Sequence, residues 1–241
     1  VGIQPDILVL RTEYELSLAL RKKVALFCNV DPAAVIQSID VPSIYEVPLK
    51  MHQQHLDEIV LTKTGLPING EPHLEPWLNF LHRMKNATKT VRIGLVGKYV
   101  ELPDAYKSIN ESLFQAATYN DRKLDLQYIH SEKLNSGNVD AMLSSLDGVL
   151  IAPGFGQRGI EGKFIALKYA REHDIPTFGV CLGMQCMVIE YARDVLGYTD
   201  ANSTEMDVTT KHNVIDLMEE QKSITNMGGT MRLGAYDCIL A

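Results

Sequence analysis

The sequence predicts an α/β protein built on a doubly wound, mostly parallel sheet, and three observations carry that prediction. From residue 91 onward, short apolar runs alternate regularly with helical patterns, as strands joined by crossover helices do. The runs are near-continuous rather than alternating, which is expected of strands covered on both faces. One junction, Gly179-Val180-Cys181-Leu182-Gly183, passes from such a run into a helical pattern with no room for a loop.

The elements follow in order. Residues 7–10 are a buried-strand run, 13–22 have a helical pattern, and 23–29 (K-V-A-L-F-C-N) read as a second strand. Residues 35–41 and 43–47 read as strands punctuated by Pro42 and Pro48, and 49–60 as helical. Gly65, Pro67, Gly70 and Pro72 crowd one short stretch, so 61–90 reads as a linker carrying a short helix near 76–86. The alternation then gives strands at 91–96, 124–129, 148–152 and 177–180, with helices at 105–118, 139–146, 162–171 and 184–195. Residues 213–240 read as strands around a Gly228-Gly229 turn. The domains are therefore 1–60, the linker 61–90, and 91–241.

Composition narrows the function. The 241 residues carry a net charge of −7, which argues against nucleic acid or an anionic membrane as partner. No apolar run approaches the length of a bilayer span. Cys28, Cys181, Cys186 and Cys238 are scattered with no metal-ligand spacing, which fits a reducing cytoplasm.

Cys181 is the residue that points to chemistry. Glycines on either side let the backbone turn tightly enough to hold a central nucleophile above the sheet, the geometry otherwise written G-x-S-x-G. The positive end of a helix dipole favours an anion there. The alternative is a small core cysteine on a tight turn. A thioester-forming cysteine needs an oxyanion hole and a base. The N–H of Leu182 supplies one donor. The second is expected from Gly154, in the glycine-rich stretch 152–159, because neighbouring strands deliver their loops to one crevice. A flexible surface turn is the competing reading of that stretch. The base is missing: His212 is the one histidine after Cys181, and it lies in a polar stretch that reads as an exposed turn. Cys186, one helical turn on, should be packed inward and inert.

Taken together, G-V-C-L-G-M-Q at 179–185, P-G-F-G-Q-R-G at 153–159 and A-N-S-T-E at 201–205 resemble a class I glutamine amidotransferase. The stretches G-K-Y-V-E-L-P-D-A-Y-K-S (97–108), G-G-T-M-R-L-G (228–234), G-I-Q-P-D (2–6), A-L-F-C-N-V (25–30) and V-P-S-I-Y-E-V-P (41–48) narrow the resemblance to the CTP synthase family. It implies flavodoxin-like layering after residue 91, preceded by the C-terminal part of a nucleotide-binding synthase domain. It also implies ATP-dependent amination of UTP to CTP with ammonia from glutamine, in a cytoplasmic homotetramer using Mg2+. CTP would be a feedback inhibitor and GTP an activator.

Carried over residue by residue, Cys181 would form a glutamyl thioester. Gly154, Leu182, Gly183, Met184 and Gln185 would contact glutamine, and Glu205 would bind its ammonium. Lys23 would contact nucleotide, and Ile39, Asp40 and Val41 would border adenine. Without the resemblance, Lys23 reads as a charged residue at a strand start and Asp40 as a turn residue before Pro42. The family's loop is commonly P-G-G-F-G. Pro153 here removes one backbone donor, leaving the hole to Gly154. The resemblance places a phosphate-binding loop and metal-binding acids before residue 1, and a His-x-Glu pair after Ala241. The chain thus reads as the middle of a longer polypeptide, inactive by itself. The rival readings are another amidotransferase or cysteine hydrolase, which would not need the stretches 25–30 and 41–48, and a non-catalytic assembly or regulatory module that keeps the elbow.

Overall fold

A computed structural model describes residue 2 and residues 4–222. The chain divides into two compact units, Val1–Lys85 and Asn86–Ala241.

In the first unit, β1 (Leu8–Thr12) lies parallel to β2 (Val35–Ile39), with Leu8 opposite Val35 and Thr12 opposite Ile39. The crossover between them is helix α1 (Leu18–Cys28). Of residues 23–29, expected as a strand, 23–28 belong to this helix and Asn29 caps it. The Ser17 hydroxyl accepts from the Leu20 N–H at its start, and Asn29 closes it in the left-handed conformation. The apolar run is wound around the helix rather than turned to one side. Arg21, Val24, Ala25 and Cys28, at helical spacing, are the less exposed positions, while Leu26 and Phe27 stand about 80% exposed.

The second misread segment, 43–47, is a 3-10 turn over Ile44–Glu46 capped by the Ser43 hydroxyl. Pro42, Pro48 and this cap outweigh the β propensity of Ile44 and Tyr45. Helices α2 (Val47–His52), α3 (Leu56–Thr64) and α4 (Glu75–Asn86) complete the unit. Helix α4 packs back on it: Trp77 and Phe80 cluster with Tyr45, and the Trp77 indole donates to the Tyr45 carbonyl at 2.9 Å.

Among the described residues, the second unit holds a four-stranded parallel sheet. Its elements are β3 (Lys89–Gly97), α5 (Lys107–Tyr119), β4 (Arg122–His130), α6 (Val139–Leu143), β5 (Gly148–Ile151), α7 (Ile160–Glu172), β6 (Thr177–Gly179) and α8 (Leu182–Asp194). The strand order is β4-β3-β5-β6, the flavodoxin-like arrangement in which the first strand of the unit sits between the second and third.

Successive side chains of a strand face opposite sides, and both sides are apolar here. Val96, Val149 and Ile151 join a core with Leu143, Phe164, Leu167 and Ile189 from α6, α7 and α8. Leu95, Leu150 and Ala152 pack with Tyr106, Ile109 and Leu113 at and within α5. This two-sided burial is why the strands read as unbroken apolar runs. Beyond α8, β7 (Asn202–Ser203) pairs parallel with β8 (Asn213–Ile215), and α9 (Glu219–Lys222) follows. The Gly228-Gly229 turn, the strands expected to 240 and Cys238 lie outside the described residues. Among the described residues, no helix is long and apolar enough to cross a membrane.

Candidate active site

The site grows from the junction of β6 and α8. Cys181 sits between them with φ 53° and ψ −113°, a left-handed backbone that is unfavourable for any residue but glycine and is kept where the surroundings enforce it. Two glycines do the enforcing. A Cβ on Gly183 would lie 2.1 Å from the Ile151 carbonyl oxygen, and one on Gly179 would lie 2.5 Å from backbone atoms of Gly183 and Met184. Strand end and helix start therefore meet at a separation only glycine allows, and the Val180 N–H bonds the Ile151 carbonyl at 3.1 Å. Cys181 is exposed. It caps the 13-residue α8, whose first N–H groups, Leu182 among them, have no partner within the helix.

Cys186 is the internal control. It is fully buried, and burial pushes its thiol up to about 11. Cys181 at the cap of α8 is thus exposed, while Cys186 within it is packed inward as expected.

The loop after β5 approaches the elbow from the neighbouring strand. A Cβ on Gly154 would lie 3.8 Å from the Leu182 side chain and 3.5 Å from Lys98, so the two expected oxyanion donors come from adjoining segments. The loop is fastened on several sides. The Lys98 ammonium donates to the Phe155 carbonyl. The Gln157 amide donates to the Met206 carbonyl at 2.6 Å, next to Glu205. Arg158 pairs with Glu132 at 3.3 Å and lies over the Tyr99 ring. A free surface turn would have none of these ties.

Within the elbow helix, Gln185 has a buried side-chain oxygen with no hydrogen-bond partner. An orphaned acceptor at this position suits a ligand that brings an N–H. Glu205 is exposed in the turn after β7, its own N–H bonded to the Ser203 hydroxyl. His212 pairs with Asp200 at 2.6 Å and stacks on Tyr198; that bond holds the Asp200 carboxyl below its usual range. Neither partner of His212 is Cys181.

In the first unit, Ile39 ends β2 and Asp40 follows it, bonded through its N–H to Thr12 and through its carboxylate to Arg11 at 3.3 Å. Lys23 is exposed in mid-helix on α1, a correction to its reading as a strand start. Val41 continues from Asp40. Two residues escaped the sequence reading. Lys98 lay inside a quoted motif without a role, and Lys163, 1% exposed, looked like any helical lysine.

Known proteins agree with this geometry. Residues 101–241 match the family described as glutamine amidotransferase class-I, and residues 1–66 match CTP synthase N-terminus. A CTP synthase of Bacteroides fragilis is 69% identical over 240 residues, all of this chain and 45% of that protein. One from Porphyromonas gingivalis is 65% identical over 240 residues, again all of this chain and 44% of the relative. The chain thus spans less than half the length of the curated relatives it matches. A solved structure of the Trypanosoma brucei CTPS glutaminase domain with bound acivicin is 40% identical with a TM-score of 0.51, covering 55% of this chain and 52% of that one. With the elbow, its glycine loop and these matches in agreement, the chain belongs to the class-I glutamine amidotransferase family.

Proposed function

We propose that this chain is the part of a CTP synthase that releases ammonia from glutamine, together with a portion of the unit that spends it on UTP. The observation that carries the reading is Cys181, exposed at φ 53° between two glycines that no side chain can replace. The sulfur attacks the side-chain amide carbon of glutamine, and the charge that develops on oxygen meets the N–H groups of Leu182 and Gly154. The C–N bond breaks, ammonia leaves with a proton, and water cleaves the resulting thioester to glutamate. The base for these proton transfers would be the His-x-Glu pair that the resemblance implies, and His212, bonded to Asp200, is not assigned that role.

Glutamine is held by Gly154, Leu182, Gly183, Met184 and Gln185, whose orphaned oxygen suits an N–H of the substrate. Glu205 takes the α-ammonium; the Gln157 to Met206 bond keeps its segment beside the glycine loop. In the first unit, Lys23 meets nucleotide, and Ile39, Asp40 and Val41 border the adenine of ATP. UTP and ATP are substrates, CTP a feedback inhibitor and GTP an activator of the complete cytoplasmic homotetramer. Mg2+ belongs to the same reading, but the described residues contain no group of three or more His, Cys, Asp or Glu side chains able to hold it, so no step is routed through it.

The test is made in the complete enzyme. Cys181→Ala should abolish glutamine-dependent CTP formation, by about a thousandfold or more, while free ammonia still supports it. Glu205→Ala should weaken glutamine use and spare ammonia use. Equal loss with both nitrogen sources would contradict the reading.

A further inference from the structure

Lys163 is a buried cation that the proposed chemistry has not yet used. It lies in the first turn of α7 and is 1% exposed. Its Nζ donates to the carbonyl of Ala152 at 2.7 Å, and among the described residues it forms no ion pair. A lysine buried without a carboxylate is costly, and a methionine of similar length would fill the same space without that cost. The placement suggests what offsets it. Ala152 is the last residue before the glycine loop, and α7 begins where that loop ends. The Lys163 to Ala152 bond therefore closes the base of the loop that carries Gly154.

We propose that Lys163 is a positioning residue for the Cys181 chemistry: its buried ammonium staples the base of the Gly154 loop and so holds the Gly154 N–H in place beside the elbow. The inference rests on Cys181 being the nucleophile. Burial lowers the pKa of Lys163 from the ordinary lysine value, and the Ala152 carbonyl gives the buried group its hydrogen bond.

Lys163→Met keeps the stem and removes both charge and donor. Lys163→Gln removes the charge and keeps a donor for Ala152. The readout is glutaminase kcat and glutamine KM in the complete enzyme, with ammonia-dependent CTP formation, circular dichroism and melting to report the fold. Both variants should fold and keep ammonia-dependent CTP formation, and Lys163→Met should lose about tenfold to a hundredfold in glutaminase kcat, part of which Lys163→Gln restores. Glutaminase kcat should fall more than the glutamine KM rises. Parental glutaminase kinetics in a folded Lys163→Met variant would overturn the proposal. So would failure of both variants to fold, which would make Lys163 a packing residue. If iodoacetamide does not modify Cys181 in the parent, the nucleophile reading itself fails, a result separable from the other two.

Discussion

Both units are built on parallel strands joined by a helix, yet they hold those strands in different ways. In the second unit, β3 and β5 lie between other strands and both faces of the sheet are covered by apolar side chains. In the first, the sheet has two strands among the described residues, and side-chain amides stand in where a third would pair. Gln54 accepts from the Gln37 N–H at 2.8 Å and donates to the Gln37 carbonyl at 2.6 Å, copying a strand's two bonds. The Gln37 side chain, itself buried, accepts from the Leu16 N–H. The contrast separates two ways of fixing a segment. The elbow is fixed by backbone against backbone, and β2 at Gln37 by polar side chains reaching the main chain.

The largest expected effect breaks the backbone side of this comparison. Gly183→Ala places a Cβ 2.1 Å from the Ile151 carbonyl, and neither partner is a flexible side-chain tip. The variant should lose about 3 kcal/mol or more, together with its Cys181 reactivity, as measured by denaturant unfolding and thiol labelling. A variant as stable as the parent would mean that the elbow adjusts freely. The first unit should be less sensitive. Gln54→Ala leaves the Gln37 N–H and carbonyl without their partner, at a cost of about 2 kcal/mol, while Cys181 labelling stays at the parental rate. Altered labelling would show that the two kinds of fixation are not independent.

The smallest effect concerns pH. The Cys186 thiol is raised from 9.0 to about 11 by burial. Between those values the unfolded chain has lost this proton and the folded chain keeps it, so stability falls as pH rises through the window. In Cys186→Ala, melting temperature should decline less steeply across the same range. Parallel curves would mean that Cys186 is not held in the dry core.

The same contrast governs what the sequence revealed. From 91 to 195, strands and helices were legible because two-sided burial writes itself as unbroken apolar runs. Both elbow glycines were legible because their reason is local. Residues 23–29 were misread because V-A-L-F-C has the composition of a strand, and the features that make it helical are the Ser17 cap, the left-handed Asn29 and the spacing of Arg21, Val24, Ala25 and Cys28. The Gln54 mimicry of a strand leaves no periodic trace. Lys163 was invisible for the opposite reason. A lysine in the first turn of a helix ordinarily faces water, and only the packing of α7 under the elbow shows that this one does not.

The central claim is that backbone geometry at one turn makes Cys181 the reactive sulfur of this chain. The most direct measurement is the order in which a glutamine-like electrophile labels the four cysteines, mapped by mass spectrometry at low conversion. Cys181 should be modified first, ahead of Cys28 and Cys238, with Cys186 unmodified while the protein remains folded. Modification of Cys28 or Cys186 before Cys181 would contradict the account.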